Sequence, residues 1–221
     1  MPADSDLFLA LRAGDIASIR AVLAVDPARA LARDTDGVSL LMTALYHRSG
    51  ELVEALLGLL STIDPFECAA LGRTTDLMSA LTRAPSTLTN RSPDGYTVLH
   101  LSSFFGHADT VERLARYGAP IDAIAANPTL VRPLHSGVAA GSVRVVRILL
   151  EHGAEIDAPQ RGGWTALHGA AHRGDSDLVE LLLRSGATRG LTGEDGRDAV
   201  ALAREAGHEA LAKRIERGDG L

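Results

Sequence analysis

Three histidines stand at matching points of the chain. His100, His135 and His168 each close a short phrase, "TVLH", "RPLH" and "TALH". A row of histidines is raw material for a metal site or for proton transfer. The spacing argues against both. The three lie 35 and 33 residues apart, so each falls on its own structural unit. Helices packed side by side sit about 8–10 Å apart, whereas Zn–N bonds are near 2 Å. The expected role is structural, each imidazole hydrogen-bonding the neighbouring turn.

Other chemistry-bearing residues carry as little. Cys68 falls where other units have Ala, Ser or Gly, and reads as a small buried hydrophobe. A nucleophilic thiol needs a nearby base and an electropositive setting, and the sequence signals neither. His47 and Arg48 are adjacent, but no Ser or Cys motif flanks them. No phosphate-binding glycine loop, HExxH, paired-cysteine spacing or triad signature is present. The expectation is a protein that is not an enzyme, with no catalytic residue, no cofactor and no metal.

Composition bounds the partners. The chain has 221 residues, 46% of them hydrophobic, and a formal net charge of −6. That is enough apolar material for a real core. It is the wrong sign for non-specific nucleic-acid binding or for docking on an anionic membrane. The single cysteine permits no internal disulfide and fits a reducing, cytoplasmic home. The opening "MPADSDLFLALRAGD" has neither a basic start nor a long apolar run, so no signal peptide is expected. No apolar stretch approaches the 18 residues of a membrane span. Lys213 is the sole lysine among 22 basic residues, a bias that points to a GC-rich bacterial source.

The elements that carry these residues repeat. A glycine followed at +5 and +8 by apolar residues recurs as Gly14, Gly72, Gly106, Gly141, Gly174 and Gly207, with Arg48 in the glycine's place in one unit. The seven anchors are separated by 34, 24, 34, 35, 33 and 33 residues. Each unit reads as two short helices. "TALHGAAHRG" opens on Thr165, a fair N-cap, and Gly174 breaks the helix. "DSDLVELLLRSGA" puts acids at a positive helix N-terminus and Leu178, Val179 and Leu182 on one apolar face. Gly118, Gly153 and Gly186 supply C-caps. Asp-Gly pairs at Asp36-Gly37, Asp94-Gly95 and Asp195-Gly196 make the turns between units.

A period of about 33 residues with a turn, "T-x-L-H" and two helices resembles the ankyrin repeat. The matching stretches are "DGYTVLHLSSFFGHADTVERLARYGAPID" (94–122), "VRPLHSGVAAGSVRVVRILLEHGAEID" (131–157) and "GGWTALHGAAHRGDSDLVELLLRSGA" (162–187). The resemblance is strong over roughly 94–216 and weaker over 6–63, where Met42 replaces the histidine. It implies an all-α solenoid of stacked antiparallel helix pairs joined by β-turn or hairpin fingers, with six to seven repeats of bacterial type. The expected plan is one domain over 1–221. It runs from an N-terminal cap (1–35) through a degenerate repeat (36–63) and a short atypical one (64–93). Three well-matched repeats follow (94–126, 127–160, 161–193), then a C-terminal cap (194–221). In the short unit the turn before Phe66 lacks about nine residues, which puts its stacking in question.

Ankyrin repeats imply a protein partner and no catalysis, and the aromatic residues suggest where it binds. In that pattern the residue after the turn glycine sits exposed on the finger, and the two before the inter-helix anchor line the inner face of the first helix. Tyr96 and Trp164 hold the finger position. Phe104 and Phe105 hold both inner positions of their unit, Tyr46 and His47 those of the second unit, and His172 and Arg173 those of the unit of Trp164. Exposed aromatics with arginine are the usual composition of a binding hot spot. The expected function is a monomeric interaction module gripping its partner on a concave finger and inner-helix surface. Alternatives are an inhibitor or immunity partner of one specific protein, and a reader of peptides or small molecules.

Overall fold

Pairs of short helices alternate with turns throughout the computed structural model, which describes residues 4–218. The outer ends of the two terminal units, 1–3 and 219–221, lie outside that range. The pairs are α1 (Ser5–Arg12) with α2 (Ile16–Val25), α3 (Leu40–Tyr46) with α4 (Gly50–Leu59), and α5 (Pro65–Leu71) with α6 (Thr74–Arg83). Next come α7 (Val98–Phe104) with α8 (Ala108–Arg116), and α9 (Pro133–Ala139) with α10 (Val143–Glu151). The last are α11 (Ala166–Arg173) with α12 (Ser176–Arg184), and α13 (Ala199–Glu205) with α14 (Glu209–Arg217). Among the described residues no helix is long and apolar enough to cross a membrane.

Local chemistry sets each pair. Three of the second helices begin at side-chain caps: Asp15 accepts from Ser18 N, Ser142 from Val145 N, and Asp175 from Leu178 N. Each cap satisfies one of the orphan donors of a helix N-terminus. The glycine anchors between the two helices all adopt positive φ, from 68° at Gly72 to 84° at Gly207. At Gly174 a side chain is excluded twice over. Its φ is 72°, and a Cβ there would fall 2.4 Å from the ring of His208 in the next unit. Arg48 takes the same left-handed conformation, at φ 54°, without being glycine.

The first helices form one unbroken series, α1–α3–α5–α7–α9–α11–α13, each packed on the next. Behind them α8, α10 and α12 pack in the same order. The buried side chains nonetheless fall into two clusters. One runs from Leu7 to Leu56 and the other from Met42 to Ile215. The division passes through α3, whose Leu40 and Leu41 belong to the first cluster and Met42 to the second. Leu45 and Ile63 touch both.

Fingers project between the pairs. They are turns closed by backbone hydrogen bonds, and the described residues contain no strand beyond the isolated bridges Arg33–Ser39 and Thr192–Asp198. Asp34 N donates to Val38 O, Ser92 N to Tyr96 O, Gln160 N to Trp164 O, and Gly193 N to Arg197 O. These partners are four residues apart. In the finger before α9 the pair is Ala125 N to Val131 O, six apart, so that tip is longer. Neighbouring fingers also bond to one another, through Ala126 N to Gly95 O and Glu194 N to Gly162 O.

One finger is missing. Only residues 60–64 join α4 to α5. The loss leaves α5 stacked in the series. The fingers on either side close the gap, and a Cβ on Gly37 would lie 3.5 Å from Cβ of Pro93.

The conformation of Arg48 yields the first prediction. A non-glycine residue in the left-handed region carries about 1–2 kcal/mol of strain, part of which glycine would return as unfolded-chain entropy. Arg48→Gly is expected to stabilise the protein by about 1 kcal/mol, read as a higher urea midpoint at unchanged slope. A lower midpoint would show that the arginine side chain matters more than its backbone.

Candidate functional site

The recurring histidines lie inside the helix N-termini. Thr97 N donates to Nδ1 of His100 at 3.3 Å, and His100 N donates back to Thr97 Oγ1 at 3.3 Å. The histidine half of this cap recurs where Arg132 N donates to His135 Nδ1 (3.1 Å) and Thr165 N to His168 Nδ1 (3.1 Å). Because Nδ1 accepts, the network assigns the proton to Nε2. Nε2 of His100 then donates to Val131 O and that of His135 to Ala158 O, each at 3.1 Å. Each ring thus ties its own unit to the next finger. His168 Nε2 makes no bond of this kind.

Burial holds these rings neutral. Desolvation lowers both His100 and His135 to a pKa of about 4 and depresses His168 as well. Cys68 is buried and its thiol is pushed up to about 11, so it is not a thiolate nucleophile at neutral pH. Among the described residues no group of three or more His, Cys, Asp or Glu is placed to hold a metal ion.

In the short unit, whose first helix reaches its glycine one residue sooner, Glu67 stands three residues after the N-cap, as the recurring histidines do in their helices. It completes a capping box with Asp64 and accepts from Ser39 Oγ at 2.6 Å. Burial raises its pKa. Whereas His100 reaches forward to the next finger, Glu67 reaches back to the unit before, across the boundary between the two apolar clusters. Nothing in the sequence reading singled it out.

The aromatic residues form two groups. Tyr46 of α3 meets Phe104 edge-on at 6.0 Å and stacks on Phe105 at 5.7 Å. Phe104 and Phe105 cross at 88°. Tyr46 and Phe104 sit two units apart, beyond the reach of side chains in a regular stack. They meet because Ala70 holds the intervening position and the finger beside it is absent. Tyr46 Oη also crosses to the far finger and donates to Asp94 Oδ2 at 2.5 Å. Burial, and then that bond, raise the Tyr46 pKa.

Beyond Phe104 the inner position is again small, Ala139, and the face opens into a groove of about 450 Å³. Tyr46, Tyr96 and Phe104 line it, with Asp94, Ser136 and Gln160 as polar groups. Sequence reading picked the aromatics but took Asp94 only as a turn residue and passed over Ser136, Ala139 and Gln160. The available signal was the large–small alternation Tyr46, Ala70, Phe104, Ala139, His172 at one repeating position.

Trp164 lies apart from this groove. It stacks on His168 at 6.3 Å, meets His172 edge-on at 5.7 Å, and is covered by the Arg197 guanidinium 5.8 Å from its centroid. His172 and Arg173 beside it are exposed, as is His47 just past the end of α3. Of the five aromatics assigned to solvent-facing positions, only Phe104 is exposed, at 40%; Tyr46, Tyr96, Phe105 and Trp164 are half-buried. The rings cover one another or, at Trp164, are covered by the last finger.

Helix pairs stacked in series, with fingers bonded to fingers, define a helical-repeat protein. Known proteins agree. A family model for ankyrin repeats in many copies matches residues 134–183, and one for the single ankyrin repeat matches 94–126. This is an ankyrin-repeat protein with an all-α solenoid fold. The chain is 37% identical over 115 residues to the B-cell lymphoma 3 protein homolog of Mus musculus, covering 52% of this chain and 25% of that one. It is 36% identical over 70 residues to human protein phosphatase 1 regulatory subunit 27, covering 32% of this chain and 46% of the relative. It is 33% identical over 94 residues to human ankyrin repeat domain-containing protein 13B, covering 42% of this chain and 15% of the relative. The chain thus spans less than half the length of each of these relatives.

The neutral histidines make stability depend on pH. Their folded pKa values of about 4 lie below the ordinary 6.5. The unfolded chain therefore binds protons that the folded chain refuses. Stability is full above pH 6.5 and falls as the pH drops toward 4, by on the order of 3 kcal/mol per histidine. Urea unfolding at pH 7 and pH 4.5 should show this loss. The loss should shrink in His100→Gln/His135→Gln, where glutamine keeps a capping group that does not titrate.

Proposed function

We propose that the protein is a non-catalytic module that binds a partner protein across its concave finger and inner-helix surface. The carrying observation is the groove between Phe104 and Ala139, where an exposed aromatic borders an open hollow on the inner-helix face. Fingers bonded to fingers fix that face beforehand, so binding costs little ordering entropy. The name of one relative, a regulatory subunit of protein phosphatase 1, supports a role exercised through another protein. Buried neutral histidines and a buried high-pKa thiol support the absence of catalysis.

The contact surface comprises Tyr46, Tyr96, Phe104 and Phe105 at the groove, with His47 on one side and Trp164, His172 and Arg173 on the other. The seven helix pairs act as one domain, capped by 1–35 and 194–221, and the module works as a monomer. A cytoplasmic, bacterial setting is supported by the lone buried cysteine and the near-total replacement of lysine by arginine. The acidic charge supports a protein partner over nucleic acid or membrane. A second reading, recognition of a short peptide, is favoured by the groove's size, which suits a few side chains more than a broad flat contact.

The test compares affinity capture from the native organism by the wild type and by Phe104→Ala. Ring truncation at a half-exposed position should leave helical circular dichroism unchanged and weaken capture of the specific partner at least tenfold. Trp164→Ala is expected to weaken capture and also to lower the thermal midpoint, because it removes packing on His168 and against Gly193. Unchanged capture by folded Phe104→Ala would remove the groove from the binding surface.

A further inference from the structure

The groove has a charge character that narrows what enters it. Its lining contains one charged carboxylate, Asp94, and no lysine or arginine. The two histidines in the lining, His100 and His135, are neutral above pH 4. Asp94 is held by two neutral donors, Ser92 Oγ and Tyr46 Oη, each at 2.5 Å. It takes part in none of the ion pairs among the described residues, which leaves its charge uncompensated. Arg132, at the start of α9, is spoken for by Glu155 and Asp122, and Arg91 stands outside the lining. Around the carboxylate are the rings of Tyr46, Tyr96 and Phe104, and beyond them the apolar Leu101, Val131 and Ala139.

Aromatic faces attract cations, and most strongly where the site is partly desolvated. A carboxylate in the same lining can add a charge-assisted hydrogen bond. Apolar walls suit the aliphatic stem of a long basic side chain. We propose that this groove seats an arginine or lysine side chain from an extended basic segment of the partner protein. The net charge of −6 favours encounter with such a segment. The proposal rests on the reading that this face binds protein, and it specifies the chemistry of the partner at its centre.

The test uses N-acetyl-arginine methylamide and N-acetyl-lysine methylamide as probes, with the citrulline and norleucine counterparts as neutral controls. Binding is followed by NMR on the whole chain through the ring resonances of Tyr46, Tyr96 and Phe104. The basic probes should shift these resonances saturably, and the neutral ones should bind at least tenfold more weakly. Asp94→Asn should weaken the basic probes at least fivefold, and Asp94→Glu should restore much of the loss. Tyr46→Phe, which keeps the ring and the carboxylate, should retain binding. Ala139→Leu fills the hollow at an exposed position and should abolish binding even if Asp94→Asn proves poorly folded. Equal binding of neutral and basic probes, or wild-type binding by folded Asp94→Asn or Ala139→Leu, overturns the proposal. Partner capture that depends on Phe104 but not on Asp94 would sink the basic-side-chain inference alone. Capture independent of Phe104 would sink the binding-face reading beneath it.

Discussion

Each helix pair buries its apolar side only against its neighbours, and every other feature of the molecule follows from that constraint. A pair such as α11 and α12 cannot hide Leu178, Val179 and Leu182 by itself. It does so between the pairs before and after it. Such a chain is held together by interfaces between adjacent units, and polar groups at those interfaces must be satisfied locally. The capping histidines meet that need. His100 and His135 close their own helix N-terminus with one ring nitrogen and hold the next finger with the other.

The same constraint explains the consequences of a missing finger. Inner helix α5 keeps its place because burying Cys68, Ala69 and Ala70 needs only α3 and α7. The projecting turn, which carries little of that burial, is dispensable. Its loss is felt on the open face. The fingers on either side draw together, Tyr46 spans the gap to Asp94 and Phe104, and the apolar interior divides at α3. Glu67 marks the same seam, where a histidine would have had no finger to hold.

A face built this way joins rigidity to irregularity. Regular units give a uniform ridge of inner helices, which offers a partner no particular point of purchase. Here bulky side chains at Tyr46 and Phe104 alternate with Ala70 and Ala139, and the ridge becomes a wall with a hollow behind it. The longer finger before α9 raises the far rim. Specific recognition needs such departures from the repeat, because the repeat itself encodes only stacking.

The sequence by itself determined the units, the helix pairs within them and the turns between them. These rest on local rules: glycine for positive φ, acids and hydroxyls at helix starts, and apolar residues at helical spacing. It also foretold that the histidines serve structure, since their separation of one unit forbids a shared ligand. Even Arg48 stood in its correct slot, recognised by the spacing of Val53 and Leu56. Which aromatics face solvent was decided only by the tertiary structure. Exposure depends on the side chain two units away, as Tyr46 over Ala70 shows, and no single repeat carries that information. The role of Asp94 was hidden for the same reason. Within its own unit it is a turn residue, and it becomes part of a site only when a tyrosine 48 positions earlier is brought against it.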